Sequence, residues 1–524
     1  MKTDLPGEPV TATASVAASA AEPAGAEPPS AGATTADGSG RHHTMRTRLK
    51  RGTLWVFAGH GGSQVIRLVG NLVLWRLLDP TSFGIMAIVN ALNQGIHMFS
   101  DVGIGPSIIQ NKRGDDPTYL NTAFTIQAIR GTILFIAAVI IAYPFAALYR
   151  EPLLAQLLPI VGLGSMIGGF NSTNYHTATR QISLGRVTMM ELVTQAVGLL
   201  VMIVGAALYR SVWALVIGAL ASTMLKFVMS HTSLPGIRNR FTWDAPSART
   251  LLKFGRWIFV STLLAFAVAQ SDRLIFGRLI PLSVLGVYSI ATVWASMPTG
   301  VLDRVFGSVM FPLLSRLHGE GKDLSAAYHK ARTPALLGTA WISACLLAGG
   351  PALTRFLYDQ RAIDAGWIIQ ILMCGTWFGT LETANGTALL ACGEARLVAI
   401  ASSVKLVGLA VFIPLGLALG GFPGAVVGFA ASEFGRYVVS VIFLRKVNLY
   451  EHWQDIFLSV MLAASGLVGI GVSRLVHGPL SAVTFAHGRL AAFLEGAAIL
   501  VVVSAIWGWL FLRDRARNRR LNAA

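Results

Sequence analysis

Apolar positions in this chain come in long unbroken blocks, with neither the two-residue alternation of a half-buried strand nor the one-sided stripe of a surface helix. Each block has roughly 18–25 residues, the length an α-helix needs to cross a bilayer. The pattern predicts about fourteen membrane helices, over 53–77, 82–109, 118–147, 152–172, 187–208, 211–231, 251–274, 284–311, 334–350, 364–391, 396–419, 422–444, 454–475 and 489–512. The longest interior linkers, 232–250 and 312–333, are too short for a soluble domain. The fold class expected is an all-α polytopic membrane protein.

The blocks repeat. Arg51-x3-Trp55-Val56-Phe57 returns as Lys253-x3-Trp257-Ile258-Phe259, RLLDPTSFG (76–84) as RLIPLSVLG (278–286), and Asp101-x3-Gly105 as Asp303-x3-Gly307, all at an offset of 202 residues. Further on, GALASTMLKFVMS (218–230) aligns with GFAASEFGRYVVS (428–440) at an offset of 210, so an insertion separates the two alignments. A duplicated hydrophobic bundle is transporter architecture. It divides the chain into a six-helix lobe over 45–231, a linker over 232–250, a second six-helix lobe over 251–444 and two further helices over 445–512, with a basic tail over 513–524. The lobes are expected to be related by a pseudo-two-fold axis along the membrane normal.

Composition sharpens this picture. Charged residues are 13% and hydrophobic residues 54% of the chain, and the mean hydropathy is +0.60. Residues 1–44, rich in Ala, Thr, Gly, Pro and Ser and without an aromatic residue, are expected to be disordered. They hold no apolar core of a secretory signal, and Met45, followed by RTRLKR, is an alternative start. Cys345, Cys374 and Cys392 form no CxxC pair, so no zinc or disulfide framework is indicated, and they are expected to be small core residues. The formal charge of +17 is concentrated on one side of the predicted topology. That side holds Lys112, Arg113, Arg180, Arg186, Arg238, Arg240, Arg316, Lys322, Arg445, Lys446 and both termini; the other side holds few basic residues, Arg150, Arg210, Arg355, Arg361, Arg474 and Arg489. Both termini are therefore expected in the cytoplasm. The charge reads as topology and attraction to anionic lipid, not as a nucleic-acid footprint.

Candidate chemistry lies in polar groups inside the blocks. His60, Gln64, Arg67 and Asn71 share one face of the first helix, and Asn90, Gln94, His97 and Asp101 share one face of the second at the same spacing. In an antiparallel hairpin the two stripes lie side by side. They either face one water-filled space or satisfy each other within the bundle. In the second half the second stripe becomes Thr292, Ser296, Thr299 and Asp303, whereas the first becomes Thr262, Phe266, Ala269 and Arg273. The first half is thus expected to carry the more polar, more cationic wall. Further intramembrane charges are Arg130, Glu191, Lys226, Asp272, Arg304, Glu382, Lys405, Glu433 and Arg436. An unpaired cation at mid-bilayer costs about 2.5–3.5 kcal/mol even on the mildest scale, so such groups imply a solvated cavity, an anionic guest or partners. Glu433 and Arg436, at i and i+3, form a possible intrahelical pair, and Asp272 with Arg273 a possible cap of the seventh helix.

DPTSFG after RLL, SDVGIGPSIIQ, and SDRLIFGRLI with GVYS five residues on resemble the paired signatures of the polysaccharide-transporter branch (Wzx-like oligosaccharide flippases) of the MOP superfamily. The resemblance covers roughly 50–515. It implies two six-helix lobes around a central cavity, alternating access, and an oligosaccharide repeat unit on undecaprenyl diphosphate as substrate, for exopolysaccharide, capsule or O-antigen synthesis. Neither an enzyme active site nor a cofactor is implied. The cavity residues expected to serve that substrate are His60, Gln64, Arg67, Asn71, Asn90, Gln94, His97, Asp101, Arg130, Arg273, Asp303 and Arg304. Arg180, Arg186, Lys226, Arg396 and Arg436 are expected at the cytoplasmic rim, and Asp101 and Asp303 are candidates for ion coupling. Expected partners are the lipid-linked substrate, anionic lipids, and polymerase and export machinery around a monomeric transporter unit in the inner membrane. Two alternatives stand beside this reading: a drug or cation antiporter of the related MATE branch, which favours an acidic aromatic cavity, and a membrane polymerase or ligase, which favours a large outer loop. Ser402-x-x-Lys405 lacks the companions of a serine acyl enzyme, and no metal motif, P-loop or nucleotide fingerprint is present.

Overall fold

A computed structural model describes residue 59 and residues 61–99, 103–181, 184–450, 452–483 and 488–523. The expectations for the tail 1–44, for the start at Met45, and for His60 and Asp101 fall outside the described residues. All fourteen predicted stretches are helical through nearly all of their described length. In chain order the helices are α1 (61–77), α2 (Pro80–Phe99), α3 (Ile104–Gln110), α4 (Pro117–Tyr149), α5 (Leu153–Gly169), α6 (Asn174–Arg180), α7 (Leu184–Tyr209), α8 (Trp213–Thr232), α9 (Ala245–Leu279), α10 (Leu282–Ala295), α11 (Met297–Val305), α12 (Phe311–Gly319), α13 (Ser325–Leu357), α14 (Ala365–Ala391), α15 (Ala395–Lys446), α16 (His452–Val483) and α17 (Gly488–Ala523). Among the described residues nine helices are long and apolar enough to cross a membrane, ten if the bent pair α5–α6 is one span. Among these nine α15 counts once, and α1, α2 and α9 are not included.

α15 is two spans. The chain reverses at Gly420 and Gly421, the latter at φ 61°, a conformation open to glycine without a steric penalty. The close pairs Gly416–Gly424, Phe412–Gly428 and Gly408–Ser432 keep a constant index sum, the mark of an antiparallel helical hairpin. Polar caps mark the starts of α4 and α9. Asp116 accepts from the Thr118 amide at 2.9 Å, and Asp244 accepts from the Ser247 amide at 3.0 Å, each satisfying an orphan donor of a first turn. Both carboxyls are held below the usual range, Asp116 by the Arg113 side chain first and Asp244 by Ser247.

The tight turns at 78–79, 210–212, 280–281 and 420–421 lie at one end of the bundle, called here the hairpin end; the basic linkers lie at the other, the basic end. At the hairpin end the halves meet backbone on backbone. A Cβ added to Gly84 would come within 1.9 Å of the Leu282 carbonyl oxygen, and one added to Gly286 within 2.0 Å of the Pro80 carbonyl oxygen. These residues are exchanged by the 202-residue repeat, so α2 and α10 cross as a self-complementary pair. One apolar core continues across both halves there, from Leu74, Trp75, Ile85 and Ile88 to Phe276, Leu285, Tyr288, Ile368 and Leu409. At the basic end the core is divided. Leu302, Phe306, Leu336, Trp377 and Leu389 pack with the C-terminal helices, while Ile108, Tyr119, Leu120 and Ile126 pack separately with the first turns of α9.

Polar contacts seal the hairpin end. Arg361 donates to the carbonyls of Leu78 at 3.1 Å and Trp75 at 2.9 Å, which end α1 without intrahelical partners of their own. Arg76 donates to the Leu357 carbonyl at 3.2 Å, Trp75 Nε1 to Asp359 at 3.1 Å, and the Tyr358 hydroxyl to Asn71 Oδ1 at 3.0 Å. The two last helices dock on the second half through buried ion pairs. Arg332 meets Asp455 at 2.7 Å with each side chain 1% exposed, and Arg355 meets Glu495 at 2.9 Å.

Removing one partner of a buried pair leaves an uncompensated charge. Asp455→Ala is expected to lower stability by about 3–5 kcal/mol, read from thermal unfolding of the solubilised protein, with recovery in the double variant Arg332→Met, Asp455→Leu; an unchanged Tm would refute the docking role. For the seal, Arg361→Ala in a background lacking the three native cysteines should raise maleimide labelling of Ser82→Cys, a buried position, several-fold. Equal labelling would show that Arg361 does not hold this end shut.

Candidate functional site

The predicted site residues separate into three groups. The first is exposed. Arg67 on α1, Asn90 and Gln94 on α2, and Asp303 and Arg304 on α11 are exposed despite lying within helices of an apolar bundle. Arg67 makes no hydrogen bond or ion pair with any described residue. Arg304, from the other half, lies close enough to feel its charge. Two like charges within Coulombic range repel, a cost that a guest anion reverses. Asp303 lies within Coulombic range of Arg436. The chain that carries Arg304 is irregular: α10 stops at Ser296, α11 begins with Pro298 in its first turn, and a π-helical turn, Phe306–Met310, follows. Such turns re-aim the side chains around them.

The second group lines a cavity inside the first half. His97 pairs with the Ser165 hydroxyl at 2.7 Å. Arg130 donates to the His97 carbonyl oxygen at 2.9 Å. Lys226 sits over the Tyr175 ring at 4.9 Å.

The third group has structural partners. Asn71 belongs to the hairpin-end seal through Tyr358. Arg180 donates to the carbonyls of Ile108 at 2.9 Å, Ile109 at 2.9 Å and Asn111 at 2.6 Å, closing the C-terminus of α3, and pairs with Asp115 at 3.0 Å. Arg273 donates to Gln270 at 2.9 Å. Its neighbour Asp272 is no cap: it lies inside α9, which runs on to Leu279, and accepts from the buried Tyr288 hydroxyl at 2.8 Å. Nor do Glu433 and Arg436 pair with each other. Lys405 meets Glu433 across the α15 hairpin, and Arg436 meets Glu382 on α14 at 2.5 Å. Contacts between packed helices win over the i,i+3 spacing because both carboxylates are buried and the cations reach them across the helix interface. Of the remaining rim residues, Arg186 and Arg396 are exposed, and Gln64 is half-buried. Cys374 is exposed and not part of the core.

Several residues of these sites escaped sequence reasoning. Glu382 and Lys405 were visible as charges without visible partners. Gln127 and His176 lie in or beside apolar stretches, and their neighbourhood depends on a 60° bend between α5 and α6. Among the described residues no group of His, Cys, Asp and Glu could hold a metal ion.

Comparison with known proteins agrees with this architecture. The family model described as polysaccharide biosynthesis protein matches residues 73–361. The chain is similar to the teichuronic acid biosynthesis protein TuaB of Bacillus subtilis, 20% identical over 439 residues that cover 82% of this chain and 90% of that protein. It is also similar to the lipopolysaccharide biosynthesis protein WzxC of Escherichia coli, 21% identical over 410 residues covering 75% and 80%. Among solved structures the lipid II flippase MurJ in an inward closed conformation superposes with a TM-score of 0.66 at 13% identity, covering 88% of this chain and all of that one (100%). An inward-facing MATE multidrug transporter of the MOP superfamily reaches 0.59 at 14% identity, covering 73% and 94%. At such identities the structural likeness establishes the fold, and the matched model, which spans more than half of the sequence, establishes the lineage: the chain belongs to the polysaccharide biosynthesis protein family.

Proposed function

We propose that this protein moves oligosaccharide repeat units linked to undecaprenyl diphosphate from the cytoplasmic to the periplasmic leaflet by alternating access. The observation that carries this reading is the Arg67–Arg304 pair. One guanidinium comes from each half, both are exposed, and they lie within Coulombic range of each other. A diphosphate between them turns repulsion into attraction, and the planar forks of arginine match its oxygens. Asn90 and Gln94, exposed beside them, offer neutral donors and acceptors to sugar hydroxyls. The lipid tail stays in the bilayer while the headgroup crosses.

In this reading the basic end is cytoplasmic and both termini lie there, as the distribution of lysine and arginine supports. The sealed hairpin end is then periplasmic, and the chain stands in an inward state. The lobes are 45–231 and 251–444, joined by 232–250, with 445–512 as an appended pair and 513–524 as a cytoplasmic tail. Arg186 and Arg396 attract the headgroup at the cytoplasmic mouth. Asp303, near Arg436, is the remaining candidate for ion coupling within reach of the central space. The product leaves toward polymerase and export machinery, and a single chain is the transporting unit. The teichuronic acid and lipopolysaccharide relatives and the likeness to a lipid II flippase support the substrate class. A basic interior speaks against a carrier of cationic drugs.

The test is the sidedness of lipid-linked glycan in cells depleted of the protein. Spheroplasts treated with a membrane-impermeant glycan label should leave the accumulated lipid-linked glycan unlabelled until lysis. Glycan already labelled in intact spheroplasts would overturn the reading and favour a polymerase or ligase. In complemented cells, Arg67→Glu should reduce polymer export at least a hundredfold at normal membrane abundance, since it converts an attraction for a diphosphate into a repulsion of several kcal/mol. Normal export in that variant would remove Arg67 from the site.

A further inference from the structure

The first half contains a second cationic cavity that takes no part in the proposed central site. It has a volume of about 360 Å³ and is lined by α2, α3, α4, α5, α6 and α8, with no residue from the second half. It lies toward the basic end, where α5 breaks from α6 at an angle of 60°. Arg130, Lys226, His97 and His176 line it, and none of its lining residues is an Asp or Glu. Glu191, the acidic group closest through contacts, stands outside and accepts from the Tyr175 hydroxyl at 2.5 Å.

We infer that this cavity binds a phosphate group, as the headgroup of an anionic phospholipid or as the free ion. Two observations join the charge imbalance. Lys226 makes no hydrogen bond or ion pair with a described residue, and its ammonium rests on the face of Tyr175; cation–π contact holds such a group without using its three N–H donors. His176 stands edge-on to the same tyrosine at 5.3 Å, also lacks a hydrogen-bond partner among the described residues, and lies within Coulombic range of Lys226. A bound phosphate satisfies both groups at once. Asn171 Oδ1, buried and without a hydrogen-bond partner in the same wall, accepts a hydroxyl such as that of a glycerol headgroup. The walls also fix the cavity's shape. Gln127 donates to the carbonyls of Gly168 at 3.3 Å and Asn171 at 3.2 Å, holding the break between α5 and α6 open on the cavity side.

The experiment uses the full chain, purified in mixed micelles. Thermal stability and lipid retention by native mass spectrometry are followed with phosphatidylglycerol, with zwitterionic phosphatidylcholine, and with inorganic phosphate at millimolar concentration. Lys226→Gln is the test variant, because the amino group touches only a ring face and its loss leaves the fold's hydrogen bonds intact; Lys112→Gln, on an exposed linker, is the control. Retention of phosphatidylglycerol over phosphatidylcholine, weakened at least about tenfold in Lys226→Gln and unchanged in Lys112→Gln, assigns the site to a lipid headgroup. A phosphate-dependent rise in Tm with the same dependence on Lys226, without selective lipid retention, assigns it to the free ion. Overturning results are no preference for either anion over the neutral control, or a preference that Lys226→Gln leaves intact. Because the readout is binding by the isolated protein, its outcome is independent of the sidedness of lipid-linked glycan.

Discussion

Everything in this molecule turns on the crossing of α2 and α10, where two glycines related by the internal repeat let each helix touch the other's first carbonyl. In a bilayer, lipid tails are as apolar as side chains, so helices associate through close packing and polar contacts and not through escape from water. A backbone-to-backbone crossing is the tightest packing available. It draws the two halves together at one end, lets a single apolar core run between them there, and leaves the opposite end divided into separate cores. Joined at that one end, the halves leave Arg67 and Arg304 exposed and within Coulombic range of each other.

The same constraint governs the charges. Apart from the hairpin-end seal, three interior cations of the second half are neutralised by buried acids: Lys405 by Glu433, Arg436 by Glu382 and Arg332 by Asp455. The first half uses main-chain carbonyls and an aromatic face instead, with Arg130 on His97 and Lys226 on Tyr175. Carbonyls and rings satisfy direction without cancelling charge. The first half therefore keeps a positive interior, divided between the central space and the cavity beside α5 and α6.

Much of this was legible in the sequence. Hydrophobic block length yielded the helices, because span length is set by the bilayer; the repeat pairs the positions that meet at Gly84–Leu282 and Gly286–Pro80; and Arg67, a cation with no acid on its helical face, is exposed. Partner choice was not legible. Glu433 and Arg436 look like a pair by spacing, yet each turns to a different helix, since only the packed hairpin brings Lys405 and Glu382 within reach. Arg180 reads as a rim cation, but the bend before α6 swings it onto the end of α3. His97 and Arg130 lie on predicted cavity faces and still drain into a separate pocket, because a helix has two flanks and sequence spacing does not tell which one borders the central space. What the chain encodes locally is readable; what depends on the rotation of one helix against another is not.

The electroneutral cluster in the second half has one more consequence. A charge moved across the full membrane potential gains or loses about 2.3 kcal/mol per 100 mV. The cluster formed by Glu382, Lys405, Glu433 and Arg436 sums to zero, so swinging it through the field requires no electrical work. In the proposed reading, Arg67 and Arg304 are the charges beside the guest: with a diphosphate bound they nearly cancel, and without it they stay positive. Loading then removes the site's own response to the potential, and the empty site is the form on which the membrane voltage acts.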